Sequence, residues 1–163
     1  RPGDGSGAVS GARDRTVFPV MAESAALKRG KKKEGRKKKV KKMESFYDLQ
    51  IYKRSYNSAL KIHQITKNFP PDELYGLVSQ MRRGSRSIPA NIAEGFSKRH
   101  VSDAEFKRFL SIAIGSSNEM IVWLDFCIDL NYCPKGDIEP LKQEYIDLGK
   151  MLFTLSQNWK KFK

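Results

Sequence analysis

The sequence predicts an all-α fold, an up-down-up-down antiparallel four-helix bundle formed by residues 43–163. Apolar residues recur at spacings of three and four in four successive stretches, which is the pattern of amphipathic helices. No stretch shows the sustained alternation of period two that a half-buried strand requires. The connections (68–70, 96–101 and 132–136) are short, and short connections favour antiparallel neighbours.

The first predicted helix runs from about residue 48 to residue 67. It ends before Pro70 and Pro71, because proline cannot continue a helix and restricts the residue before it. The predicted apolar face consists of Leu49, Tyr52, Tyr56, Leu60 and His63.

The second predicted helix starts at Pro71, which suits a first turn, and Asp72 and Glu73 favour the positive end of the helix dipole. Pro89 removes one helical hydrogen bond, so we expect a kink between residues 84 and 89. Gly95 is the expected terminator. Steps of four and three define the core seam Leu74, Val78, Met81, Ser85, Ile88 and Ile92.

The side of this helix opposite the seam mixes small residues with strong hydrogen-bonding groups. Two interpretations are open: an exposed polar face with its own network, or a surface for self-association. Arg82 and Arg86, one turn apart beside the seam, either form a basic patch or cover the core with their aliphatic stems. The opposite side consists of Gly76, Gln80, Arg83, Ser87, Ala90, Asn91 and Glu94.

The third predicted helix begins at a capping box of Ser102 and Glu105, with Val101 and Phe106 as a hydrophobic staple. Two seams on this helix predict contacts on two sides. The first seam is Phe106, Leu110, Ala113, Ser117, Met120, Leu124 and Cys127. The second is Phe109, Ile112, Ser116, Trp123, Phe126 and Leu130.

The fourth predicted helix begins near Asp137, with Pro140 in its first turn. Its single seam predicts one buried face. The seam is Ile138, Leu141, Tyr145, Leu148, Leu152, Leu155 and Trp159.

Residues 1–42 have a different composition, with 14 basic and 4 acidic residues against 17 and 14 in residues 43–163. The net charges are therefore +10 and +3. Such dense like charge predicts disorder or at most a transient helix. The basic run 31–39 would suit phosphate backbones or resemble a nuclear import signal. Since the chain starts at Arg1 and both Met21 and Met43 are candidate starts, residues 1–42 are either a functional basic extension or a leader.

The remaining composition favours a cytoplasmic, non-enzymatic protein. No apolar run is long enough to span a bilayer, and the start lacks a secretory signal. Cys127 and Cys133 are too far apart for a disulfide unless the helix ends between them, and with His63 and His100 they make a zinc site improbable. We find no Glu-x-x-His pair, phosphate loop or nucleophile elbow, so we predict no catalytic residue, metal or cofactor.

Five segments resemble one family: FYDL (46–49), FPPDELYGL (69–77), QMRR (80–83), SIPANIAEG (87–95) and FLSIAIGSSNE (109–119). They are similar to the bacterial four-helix-bundle proteins encoded within intervening sequences of 23S ribosomal RNA genes. That family includes the accessory variability determinant of diversity-generating retroelements.

The resemblance covers about residues 43–160 and implies a homopentameric ring without enzymatic activity. For the family members found in retroelements, the resemblance implies a basic ring that binds nucleic acid and a reverse transcriptase. We interpret the positions matching the motifs as an assembly or polar network. They are Arg82, Arg83, Ser87, Asn91, Glu94 and Glu119.

Two functional hypotheses follow. In the first, an oligomeric bundle binds RNA, DNA or a ribonucleoprotein, and in the second it is a protein-interaction scaffold or a reverse-transcriptase accessory subunit. The net charge of only +3 in residues 43–163 is low for a strongly cationic ring. No membrane or small-molecule partner is expected. Candidate nucleic-acid contacts are Lys53, Arg54, Lys98, Arg99, Lys107 and Arg108.

Overall fold

The computed structural model describes residues 44–159, in which the chain forms four α-helices and no strand. The helices are α1 (Gln50–Ile65), α2 (Leu77–Lys98), α3 (Asp103–Asp129) and α4 (Lys135–Asn158). Each of α1 and α3 packs against both α2 and α4, which closes a four-helix bundle around one core. The predicted all-α class is confirmed. The prediction of disorder for residues 1–42, and the ends of the predicted domain at 43 and 160–163, lie outside the described residues.

The start of α1 is set by a short 3-10 turn, Phe46–Asp48. The hydroxyl of Ser45 accepts the N–H of Tyr47, and the Asp48 carboxylate accepts the N–H of Ser45. Leu49 is extended, so α1 begins two residues later than predicted.

The buried face of α1 differs from the predicted one. Tyr56 and Leu60 are 49% and 50% exposed, and Leu49 alone of the five predicted residues is buried. Ser55 and Ser58 satisfy their hydroxyls on backbone carbonyls three and four residues earlier, so these small side chains can face the core. The face that packs is Ile51, Ser55, Ser58, Ala59 and Ile62.

The seam of α2 is confirmed from Val78 onward, but Leu74 is 49% exposed because it precedes the helix. A 3-10 turn occupies Pro71–Glu73, where we expected the first α-helical turn. The carboxylate of Glu73 caps α2 by accepting the N–H of Leu77 at 2.9 Å.

Gly95 does not end α2, which continues through Pro89 and Gly95 to Lys98. Its role is close packing between helices. A Cβ atom added at Gly95 would lie 2.9 Å from the Cβ atom of Phe109 and 3.3 Å from the carbonyl oxygen of Phe106. The position therefore requires glycine because α2 and α3 nearly touch there.

Only half of the predicted capping box forms at the start of α3. The Ser102 hydroxyl accepts the N–H groups of Ala104 and Glu105, whereas the Ser102 N–H donates to the Lys98 carbonyl. The expected staple is wrong: Val101 is 81% exposed. All seven residues of the first α3 seam are buried, as predicted. Helix α3 ends between the two cysteines, after which Asn131 adopts a left-handed φ of 55°, and both thiols are free.

Helix α4 begins two residues before the predicted start, and its seam is confirmed, with Leu155 only half-buried. A buried hydrogen bond of 2.7 Å from the Ser117 hydroxyl to the Tyr145 carbonyl joins α3 to α4. On the other side, the Arg54 guanidinium donates two hydrogen bonds to Glu144, which joins α1 to α4.

No helix within residues 44–159 has the length and apolar character needed to cross a bilayer.

Candidate functional site

The outward face of α2 carries a small hydrogen-bonded group, which we call the serine–asparagine network. The hydroxyl of Ser116 on α3 donates to the Ser87 hydroxyl at 2.9 Å. The Asn91 amide donates to the same hydroxyl at 3.0 Å and to the Ser87 carbonyl at 2.8 Å. The network therefore fixes two half-buried polar side chains of α2 against α3.

The other predicted members of the assembly network lie outside this group. Arg82 points to α1 and donates from Nε to the Thr66 hydroxyl at 2.8 Å. Glu94 lies 3.9 Å from Lys98 on its own helix. The side chains of Arg83 and Glu119 are exposed and make no hydrogen bond or ion pair with another residue of the 44–159 segment. A role for these six residues in assembly stays a prediction.

An apolar groove, the α1–α2 groove, lies beside this face and has a volume of about 480 Å³. Tyr52 and Tyr56 form one wall with stacked rings whose centroids are 6.1 Å apart. Half-exposed Leu60 continues that wall. The lining residues are Phe46, Tyr52, Tyr56, Ala59, Leu60, His63, Arg86, Pro89, Ala90 and Ala93.

One end of the α1–α2 groove is electropositive. Arg86 Nη2 lies 3.5 Å from His63 Nδ1, and Arg82 and Lys67 are close by. Partial burial and the charges of these three cations lower the pKa of His63. Within the described chain, no carboxylate lies within ion-pair distance of any of the three cations.

A second apolar surface, the α3 ridge, lies on the other side of α2 and consists of Trp123, Phe126 and Leu130. The Trp123 and Phe126 ring centroids are 5.9 Å apart. Phe126 and Leu130 are 46% and 47% exposed. With Gly76, Leu77 and Gln80 of the α2 side, the ridge borders a shallow cleft of about 270 Å³. The expected contacts of α3 on two sides are made, with α2 and with α4. The second seam is covered only in part, since Ile112, Phe126 and Leu130 are exposed.

The six candidate nucleic-acid contacts differ in availability. The guanidinium of Arg54 donates two hydrogen bonds to Glu144, so Arg54 is no longer a candidate contact. Arg99 lies over the Phe96 ring at 3.6 Å from its centroid. Lys98 and Arg108 have acidic neighbours on their own helices. Lys53 and Lys107 are exposed, with no ion pair to any of the residues that the structure describes.

The thiols are poor candidates for catalysis. Burial raises the pKa of Cys127 to about 12 and also raises the pKa of Cys133. A thiol needs its thiolate form to act as a nucleophile. In the described part of the chain, no three His, Cys, Asp or Glu residues are grouped so that they could hold a metal ion.

Sequence reasoning missed the α1–α2 groove because it assigned Tyr52, Tyr56 and Leu60 to the core. One signal was present: the other side of α1 carries Ser55, Ser58 and Ala59 between Ile51 and Ile62. A run of small residues flanked by isoleucines allows α1 to pack closely against its neighbours. The larger side chains of Tyr52, Tyr56 and Leu60 would hold the helices further apart.

Comparisons with known proteins agree with this architecture. No curated protein matches the chain. The chain is similar to a crystal structure described as a protein of unknown function from the S23 ribosomal protein family of Bacteroides thetaiotaomicron VPI-5482. The TM-score is 0.60 and the identity 25%, and the match covers 66% of this chain and 95% of the other. Residues 47–154, well over half of the chain, match the model of the 23S rRNA-intervening sequence protein family, and the chain belongs to that family.

Proposed function

We propose that this chain is a non-enzymatic, self-assembling helical protein that binds RNA or a ribonucleoprotein partner. The observation that carries the self-assembly in this proposal is the pair of half-exposed apolar surfaces on the two sides of α2. The resemblance of the motifs implies a homopentamer, which we adopt as the expected assembly. A cytoplasmic location is part of the proposal, because free thiols persist in reducing compartments.

Self-assembly is supported by the amount of apolar surface left open. Tyr56, Leu60, Phe126 and Leu130 are each about half exposed. An aromatic side chain buries about 150–250 Å² when it is covered completely, so each half-exposed aromatic ring leaves roughly 100 Å² to be covered. Clustered exposed apolar side chains rimmed by polar residues mark interaction surfaces in soluble proteins.

RNA binding is supported by family membership and by exposed cations. The family is named for an insertion in ribosomal RNA. Lys53 and Lys107, which have no acidic partner in the described segment, are the first contacts to test, followed by Lys98, Arg99 and Arg108. Because phosphate contacts release counterions, the affinity must fall steeply with added salt.

The test compares full-length wild type with a Lys53→Gln/Lys107→Gln double variant, using a fluorescent single-stranded RNA over a salt series. Each lost phosphate contact reduces the salt slope by about 1, so the double variant should lose about 2. The matched control is Lys135→Gln/Lys150→Gln, which removes two charges from α4. If the two double variants have the same slope, the bundle makes no contact to RNA through these lysines.

The alternative function is a protein-interaction scaffold or a reverse-transcriptase accessory subunit of a diversity-generating retroelement. The net charge of +3 in residues 43–163 and the apolar character of both surfaces favour it. It predicts a stable assembly whose RNA affinity does not respond to substitutions in the bundle. A reverse-transcriptase gene beside the reading frame would favour this alternative, and a ribosomal RNA gene around it would favour RNA binding.

A further inference from the structure

The two apolar surfaces that flank α2 differ in shape. The α1–α2 groove is concave, with a volume of about 480 Å³, and the side chains on its α2 wall include the small Ala90 and Ala93. The α3 ridge presents the large Trp123 and Phe126 side chains above a cleft of about 270 Å³. The small side chains on the α2 wall leave room in the groove for a large side chain such as the half-exposed Phe126, and neither surface has a partner within residues 44–159.

The two surfaces also differ in charge. The α1–α2 groove ends at Arg86, next to His63 and Lys67. The α3 ridge begins one helical turn after Glu119, an exposed acid with no ion pair in the described segment. The groove is thus cationic at one end and the ridge has an acid at one end.

Pairing of each surface with its own copy gains no attraction between opposite charges. A groove facing a second groove offers no acid to Arg86, and a ridge facing a second ridge offers no ridge cation to Glu119. Specific interfaces bring surfaces of opposite charge together, and neither of these arrangements does so. A groove facing a ridge instead allows Glu119 of one copy to approach Arg86 of the other.

We propose that the α3 ridge of one copy of this chain docks into the α1–α2 groove of the next copy. This inference rests on the self-assembly proposed above and names the surfaces that mate. The contact is heterologous, because each protomer uses one surface towards each of two neighbours. Repetition of a heterologous contact gives a closed ring or an open filament rather than a twofold dimer.

The test uses one blocking substitution on each surface of the full-length chain. Ala90→Arg fills the groove and adds a like charge beside Arg86, at an exposed helical position where arginine is well tolerated. Phe126→Lys removes an aromatic ring from the ridge and places a cation opposite the cationic groove. Phe153→Lys is the matched control, since Phe153 is 58% exposed on α4 and lines neither surface.

Sedimentation velocity gives the masses of the species that wild type and each variant form. We expect Ala90→Arg and Phe126→Lys to associate at least about tenfold more weakly than wild type and to sediment as monomers, with Phe153→Lys assembled as wild type. An equimolar mixture of the two blocked variants should form a dimer. In that dimer the intact ridge of the Ala90→Arg chain occupies the intact groove of the Phe126→Lys chain, and no further copy can add.

The outcomes separate the two proposals. If wild type is a monomer at every concentration, the proposed self-assembly is wrong and this inference fails with it. If wild type assembles but either blocked variant remains fully assembled, or if the mixture stays monomeric, the groove–ridge contact is refuted while self-assembly stands. Ala90→Arg assembled as wild type with altered RNA affinity would instead assign the groove to RNA. Circular dichroism confirms that each variant is folded.

Discussion

Replacing Gly95 by alanine tests the closest approach of α2 and α3. Alanine in a helix interior is normally about 1 kcal/mol more favourable than glycine. At Gly95, however, the new Cβ would lie 2.9 Å from the Phe109 Cβ and 3.3 Å from the Phe106 carbonyl oxygen. Neither atom can rotate away, so the helices must separate, and overpacking of this kind costs about 1–3 kcal/mol.

The net effect of Gly95→Ala should be a loss of about 0–2 kcal/mol in the free energy of unfolding, with none of the gain that alanine normally brings. Gly115→Ala is the control, because no atom lies within 4 Å of an added Cβ at that helical position. It should gain roughly 0.5–1 kcal/mol. Urea unfolding followed by circular dichroism, at one protein concentration, compares the three proteins. If both variants are stabilised by similar amounts, the helices are further apart at Gly95 than the structure has them.

Three further predictions concern the core, the α2 cap and the outward face. Leu124→Ala should cost about 2–5 kcal/mol in urea unfolding, because Leu124 is fully buried in the α3 seam; an unchanged stability would mean that this face of α3 is misassigned. The pKa of Glu73 is lowered from 4.5 by the Leu77 N–H and the Tyr132 hydroxyl, so its stabilisation is complete above pH 4.5 and is lost as the pH falls through the lowered value. Stability measured from pH 6 to pH 2 should therefore depend less on pH in Glu73→Gln than in wild type, and identical profiles would contradict the role of this cap. Arg83→Ala should shift the oligomer to smaller species in sedimentation experiments. A fully assembled variant would mean that Arg83 lies on a solvent-exposed face and has no role in assembly.

Helix type and core composition could be predicted best where the buried face is large and apolar. The first seam of α3 is buried at all seven positions, and it is a long row of mostly apolar side chains from Phe106 to Cys127. Helix α1 lacks such a row: its buried side contains Ser55 and Ser58, whose hydroxyls are satisfied by the helix itself. Hydropathy ranks those residues below Tyr52 and Tyr56, so the pattern selects the wrong face.

The candidate site was predictable only in part. Spacing placed Ser87, Asn91 and Glu94 on the outward side of α2, and the structure has them exposed or half-buried there. The contact of Ser87 with Ser116 depends on how α2 and α3 are oriented, which spacing does not specify. The α1–α2 groove depends in the same way on the rotation of α1.

The ion pair between Arg54 and Glu144 has a consequence for the order of folding. It joins residues 90 positions apart, whereas α2 contacts α3, and α3 contacts α4, across short turns. Contacts between sequence neighbours cost little loop entropy and form early, so the α1–α4 closure is expected after the folding transition state. Weakening this pair should accelerate unfolding and leave the refolding rate almost unchanged. On this reasoning, the Arg54–Glu144 pair slows the unfolding of the closed bundle and has little effect on the rate at which it forms.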